Sequence, residues 1–146
     1  MKQLSLIFGF FFALSVSVYA QSEMPAGVKS AFESRFSGAK VDEHYATSDQ
    51  HFVLFEHQGQ AHKAVYDASG SWKETASLVL ATDAPESIRT YLKENHSGHI
   101  FKDFWKLSTP DKEGFKVTSG ALAVYFDASG NFVRTEEVSD ELEGLY

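Results

Sequence analysis

A shift of 60 residues lays this chain over itself, and no other feature of the sequence constrains the fold as tightly. Pro25 falls on Pro85, Val28 on Ile88, Phe32 on Leu92, and Ser37-Gly38 on Ser97-Gly98. Tyr45 falls on Trp105, Phe55 on Phe115 and Trp72 on Phe132. The tetrad Asp67-Ala68-Ser69-Gly70 meets Asp127-Ala128-Ser129-Gly130 without change. Such self-similarity predicts two tandem copies of one supersecondary unit, residues 21–80 and 81–146, packed as one cooperative domain.

Each copy opens on a helix. Pro25 and Pro85 suit a first helical turn, where a missing N–H costs nothing, and Asp83 is a fair N-cap for the second helix. Val28, Ala31, Phe32 and Phe36 recur at helical spacing, as do Ile88, Tyr91, Leu92 and His96. Gly38 and Gly98 are placed to end these helices in the left-handed conformation. Strand-like runs follow at Val41 to Thr47, His51 to His57, Ala61 to Tyr66 and Ser71 to Leu78. Their counterparts are Phe101 to Leu107, Phe115 to Thr118, Ala121 to Phe126 and Asn131 to Val138. Each Asp-Ala-Ser-Gly tetrad reads as a type I turn followed by a left-handed Gly. The predicted class is α+β, two tandem helix-plus-four-antiparallel-strand repeats joined through an apolar connection within Thr75 to Asp83.

The N-terminus predicts export. Lys2 precedes an apolar run from Leu4 to Val18, and Val18-Tyr19-Ala20 offers small residues for cleavage before Gln21. At about 15 residues the run is short for a hydrocarbon core that needs about 20, so no membrane insertion is expected once residues 1–20 are removed. The location expected is periplasmic or secreted. The chain has no Cys, which removes a disulfide framework, a thiolate nucleophile and a Cys-based zinc site. Its formal net charge is −7, and cleavage at Ala20 removes Lys2 and no acid. That balance argues against nucleic acid as a partner, because phosphate binding needs clustered Lys and Arg.

The pattern of Pro25, Val28, Phe32 and Phe36, then Gly38-Ala39-Lys40, Tyr45, and Tyr66-Asp67 with Gly70 and Trp72, resembles the PepSY-like, β-lactamase-inhibitor-like periplasmic proteins of Bacteroidota. The resemblance runs from about Pro25 to Val138 and rests mostly on glycines and core aromatics. It implies a curved antiparallel sheet with its helices on one side. It also implies a role in gripping another protein.

Motifs for chemistry are scarce. His51, His57 and His62 could hold a metal on the first copy's hairpins, with His44 nearby, but their spacing matches no metallohydrolase helix. The second copy has Val117 and Leu122 where the first has His57 and His62, while its own His96 and His99 bracket Ser97-Gly98. Asp67 and Asp127 lack the alternating carboxylates of a calcium loop, and a turn explains them. Ser69 and Ser129 stand in no nucleophile elbow. Adjacent acids such as Asp42-Glu43 point to opposite faces of a strand and cannot flank one bond. No Gly-rich phosphate loop and no cofactor motif is present. These readings predict a non-catalytic binding module that meets an exported protein or peptide on its open sheet face. Trp72, Phe104, Lys102, Lys106 and Glu56 are the expected contacts. The alternative is a periplasmic metal-binding protein working through the three histidines.

Overall fold

The structure, a computed structural model, describes residues 23–137, so the expected signal segment lies outside the described residues. Helix α1 (Ala26–Arg35) precedes β1 (Lys40–Ala46), β2 (Gln50–His57), β3 (Gln60–Asp67) and β4 (Trp72–Val79). Helix α2 (Glu86–Asn95) precedes β5 (Asp103–Ser108), β6 (Glu113–Ser119), β7 (Leu122–Asp127) and β8 (Phe132–Glu137).

Pro25 and Pro85 are the N-cap residues, with φ near −55° and −50°, angles their rings already favour. Their carbonyls accept the first bonds, from Lys29 N at 2.9 Å and Ile88 N at 3.1 Å. Asp83 is not the cap; its N–H donates to the Leu80 carbonyl in the turn before the helix. Gly38 is left-handed at φ +79°, whereas Gly98 is not among the left-handed glycines. The Asp67 and Asp127 tetrads form the expected turns, with Gly70 and Gly130 at φ +89° and +84°. In each, the aspartate Oδ1 accepts two backbone N–H groups, from Ser69 and Ser71 or from Ser129 and Asn131. The Ser69 hydroxyl and then Lys73 hold the Asp67 carboxyl below the usual carboxylate range, the Asn131 side-chain amide does the same for Asp127, and the backbone bonds add to both.

The reading of two tandem helix-plus-four-strand repeats is overturned. All eight strands form one antiparallel sheet in the order β1 to β8, each strand paired with the next. The decisive ladder joins β4 to β5, from Thr75↔Ser108 to Val79↔Phe104. Thr75 to Leu78, read from sequence both as the end of a strand and as the start of the connection, is strand, and the strand runs on through Val79. A free β4 edge would leave a row of unpaired backbone groups, and β5 removes it.

Register sorts the side chains between two faces. Phe55, His62, Ser77, Lys106, Phe115 and Phe126 stand opposite one another in turn and share one face. Both helices cover that face. Val28 and Phe32 of α1 pack on Val53, Phe55, Ala64 and Tyr66. Ile88 and Leu92 of α2 pack on Phe104, Phe115, Val117, Val124 and Phe126. Phe32 meets Phe55 edge-on at 4.8 Å, an arrangement favoured by the ring quadrupoles.

Among the described residues no helix lies on the opposite face, yet Lys63, Val65, Ala76, Lys116 and Ala123 on it are buried. Residues of β1 and of β6, five strands away, line one cavity there. At about 4.8 Å per strand, a flat sheet would hold them more than ~20 Å apart. The sheet therefore curls, and the helix-free face is concave.

Candidate functional site

The concave face is built from two cross-strand rows. One runs Glu43, Leu54, Lys63, Ala76, Leu107, Gly114 and Asp127. The next runs Leu78, Trp105, Lys116, Tyr125 and Arg134. Gly114 leaves a gap in the first row, because a Cβ there would stand 2.5 Å from the Phe126 carbonyl oxygen. Two hollows result. One, of about 280 Å³, lies among Asp42, Glu43, Leu54, Ala61, Lys63, Ala76, Trp105 and Lys116. The other, of about 520 Å³, lies among Glu74, Leu107, Gly114, Tyr125, Val133 and Arg134.

Aromatic rings stand along this face. Tyr45 and Phe52 stack at 4.8 Å with an interplanar angle of 10°. The Lys63 ammonium lies 5.6 Å from the Phe52 ring centroid, and the Arg134 guanidinium 3.9 Å from that of Tyr125. Arg134 Nε also donates to Glu136 Oε1 at 2.6 Å, the main cause of the lowered Glu136 carboxyl. The indole N–H of Trp105 is buried without a hydrogen-bond partner among the described residues.

Lys63 and Lys116 dominate the electrostatics. Their side chains are buried, at 6% and 5% relative exposure. Burial first, then the nearby Lys116 charge, brings Lys63 down to about 8, with Glu74 opposing the shift. Burial brings Lys116 down to about 8 as well, opposed by Glu74 and Glu136. A buried ammonium is costly unless its surroundings compensate, and Glu74 and Glu136 supply part of that compensation here.

Of the residues expected from sequence, Glu56 lies on the concave side, exposed opposite Ala61 and Lys40. Trp72 lies opposite Tyr66 on the helix face, packed on the first core, with the Arg35 guanidinium 3.4 Å from its ring centroid. Phe104 is core, and its neighbour Trp105 is the one that faces the hollow. Lys106 is on the helix side, in an ion pair with Glu113 at 3.4 Å. Lys102 precedes β5 and is exposed. The five are not brought together. Sequence reasoning did not single out Lys63 and Lys116, and of Phe104 and Trp105, only one of which alternation can bury, it took Phe104 as the contact; a core Phe104 places Trp105 on the other face.

The three histidines of the metal reading are not brought together either. His51 stands at the start of β2 beside His44, its Nδ1 3.2 Å from His44 Nε2. His57 ends the same strand, about 20 Å along it at strand rise. His62 Nδ1 is engaged with Ser77 Oγ at 2.8 Å. Among the described residues, no group of three or more His, Cys, Asp or Glu side chains is placed to hold a metal ion. Among the same residues, no helix is long and apolar enough to cross a membrane.

Neither a protein-family model nor a curated protein matches the chain. Solved structures do. A DUF2874 family protein from Bacteroides uniformis superposes with a TM-score of 0.69 at 16% identity, covering 85% of this chain and 94% of that one. A protein described as periplasmic from Bacteroides eggerthii gives 0.70 at 11% identity, covering 82% and 95%. A BLIP-like protein from Bacteroides fragilis gives 0.64 at 17% identity, covering 82% and 91%. At these identities the likeness is one of fold.

Proposed function

We propose that this chain is a non-catalytic, exported binding module that receives another protein or a peptide on its concave sheet face. The single observation that carries this reading is the composition of that face. Trp105, Tyr125, Tyr45, Phe52 and Leu54 stand around a curved surface that no helix of the described chain covers. Aromatic anchors beside depressions, with charged groups around them, are the usual makings of a protein-binding patch. Glu56 and Arg134 are the proposed charged rim. The apolar run before Val18-Tyr19-Ala20 and the fold shared with a protein of Bacteroides eggerthii described as periplasmic support export to the periplasm. The fold shared with a BLIP-like protein supports an inhibitor-like mode, in which the partner's surface enters the hollow of the sheet.

The test is a pull-down from periplasmic extract, using residues 21–146 and three variants as bait. A partner retained by the parent chain and by Lys29→Ala, on the exposed side of α1, but lost with Trp105→Ala and Tyr125→Ala, is the expected result. A partner retained equally by all four baits would place the contact elsewhere and end the reading.

A further inference from the structure

The smaller hollow has chemistry of its own, which does not depend on a protein partner. We propose that it is a binding site for a small amphiphilic monocarboxylate, an aryl- or branched-alkyl-substituted acid. Lys63 and Lys116 would receive the carboxylate, and Leu54, Ala76 and Trp105 the apolar body.

Size comes first. At about 30 Å³ per water, a cavity of about 280 Å³ has room for on the order of ten non-hydrogen atoms. That is a small acid and not an extended peptide. The walls come next. Leu54, Ala76 and the Trp105 ring are apolar, and sites that enclose small ligands combine such walls with a few convergent polar groups.

Three of the polar groups here are donors. Lys63 and Lys116 both line the cavity with buried side chains, and the Trp105 N–H lacks an acceptor among the described residues. Burial disfavours each ammonium and the Lys116 charge also disfavours that of Lys63, while Glu74 opposes both effects and Glu136 that on Lys116. A ligand carboxylate in the cavity that both lysines line adds to that compensation through charge-assisted hydrogen bonds. Asp42 and Glu43 also line the cavity, but from exposed positions, and Asp42 is paired with Lys40 at 3.7 Å. Acids at the mouth repel a second negative charge on the ligand, which limits the class to monocarboxylates.

The probes are 3-phenylpropionate and its uncharged amide, titrated into residues 21–146 by calorimetry and by NMR of the lysine side chains. We expect saturable one-site binding of the acid, a rise in the pKa of Lys63 and Lys116 on binding, and affinity for the amide weaker by about tenfold or more. Lys63→Met and Lys116→Met should each weaken the acid by about tenfold, while Lys102→Met, outside this cavity, should not. Equal binding of acid and amide to the parent chain overturns the proposal without any variant. So does unchanged binding to the double Lys63→Met/Lys116→Met chain, or no saturation up to about 10 mM acid. None of these results bears on whether a protein partner needs Trp105 and Tyr125.

Discussion

A Cβ on Gly130 would stand 2.3 Å from the hydroxyl oxygen of Ser87 and 2.7 Å from the Cβ of Pro85. The same Ser87 hydroxyl donates to the Gly130 carbonyl at 3.0 Å, so the start of α2 is seated on the β7–β8 turn. Gly130 also sits at φ +84°, where any side chain is strained. Gly130→Ala should therefore destabilise by about 1–3 kcal/mol from strain alone, with the steric contact adding to it. Gly70 meets only the backbone of Gly27 and Val28, at 3.2–3.4 Å, so Gly70→Ala should cost less. Urea midpoints of the two variants check the order, and an unchanged midpoint for Gly130→Ala would mean that α2 is not seated there.

Stability should rise as the solution is made alkaline, reach a maximum near pH 10, then fall. Lys63 and Lys116 have folded-state values of about 8, below the value of about 10.4 for a free lysine. Between those values the unfolded chain binds more protons, so stability increases with pH. Tyr66 acts in the opposite sense, because burial pushes its hydroxyl up to about 12. Above about pH 10 the unfolded tyrosine ionises first and stability is lost. Denaturant midpoints from pH 7 to 11 test this, and Lys63→Met should flatten the rise. A midpoint that falls steadily from pH 8 would contradict the burial of both lysines.

The local elements were legible because their signals are local. Pro25 and Pro85 fix a helix start by their own rings, and Asp67 and Asp127 make their turns with their own carboxylates. What sequence did not reveal is non-local. The pairing of Thr75–Val79 with Phe104–Ser108 joins strands separated by α2, and no side-chain pattern announces it. The 60-residue echo suggested two units, whereas that one ladder makes a single sheet. The site was obscured for a related reason. Lys63 and Lys116, which no sequence motif singles out, are buried by curvature, and curvature is a property of the whole sheet. Trp72 looked like an anchor, but Tyr66 across the ladder holds it on the helix side.

On the acid side the histidines set the slope. Burial is the main cause that lowers both His51 and His62 from their ordinary value; His44 adds to the effect on His51, while the His57 carbonyl opposes that on His62 and the His57 charge adds a smaller part to it. Below about pH 6.5 the unfolded chain therefore takes up more protons than the folded one, and stability falls with pH. His62→Gln should make that fall shallower between about pH 6.5 and 5. An identical pH profile for the variant would show that His62 titrates freely in the folded chain.

The last prediction concerns whether the two halves of the sheet stand alone. The two apolar cores share no residue, which by itself would permit independent folding. Against this, residues 21–80 expressed alone would expose the β4 edge from Thr75 to Val79, and residues 81–146 would expose β5. An unpaired edge that long invites self-association. At about 60 residues each, the halves bury only about 60% of their unfolded surface, and neither has a disulfide to compensate. The cavity around Lys63, Trp105 and Lys116 draws its walls from both halves. We therefore expect residues 21–146 to unfold in one cooperative transition by calorimetry, and each half alone to be unfolded or associated. A half that melts as a folded monomer near the temperature of the whole chain would mean that the β4–β5 ladder adds little. The concave face would then be a loose junction, and both the protein-binding reading and the carboxylate cavity would lose the rigid floor they require.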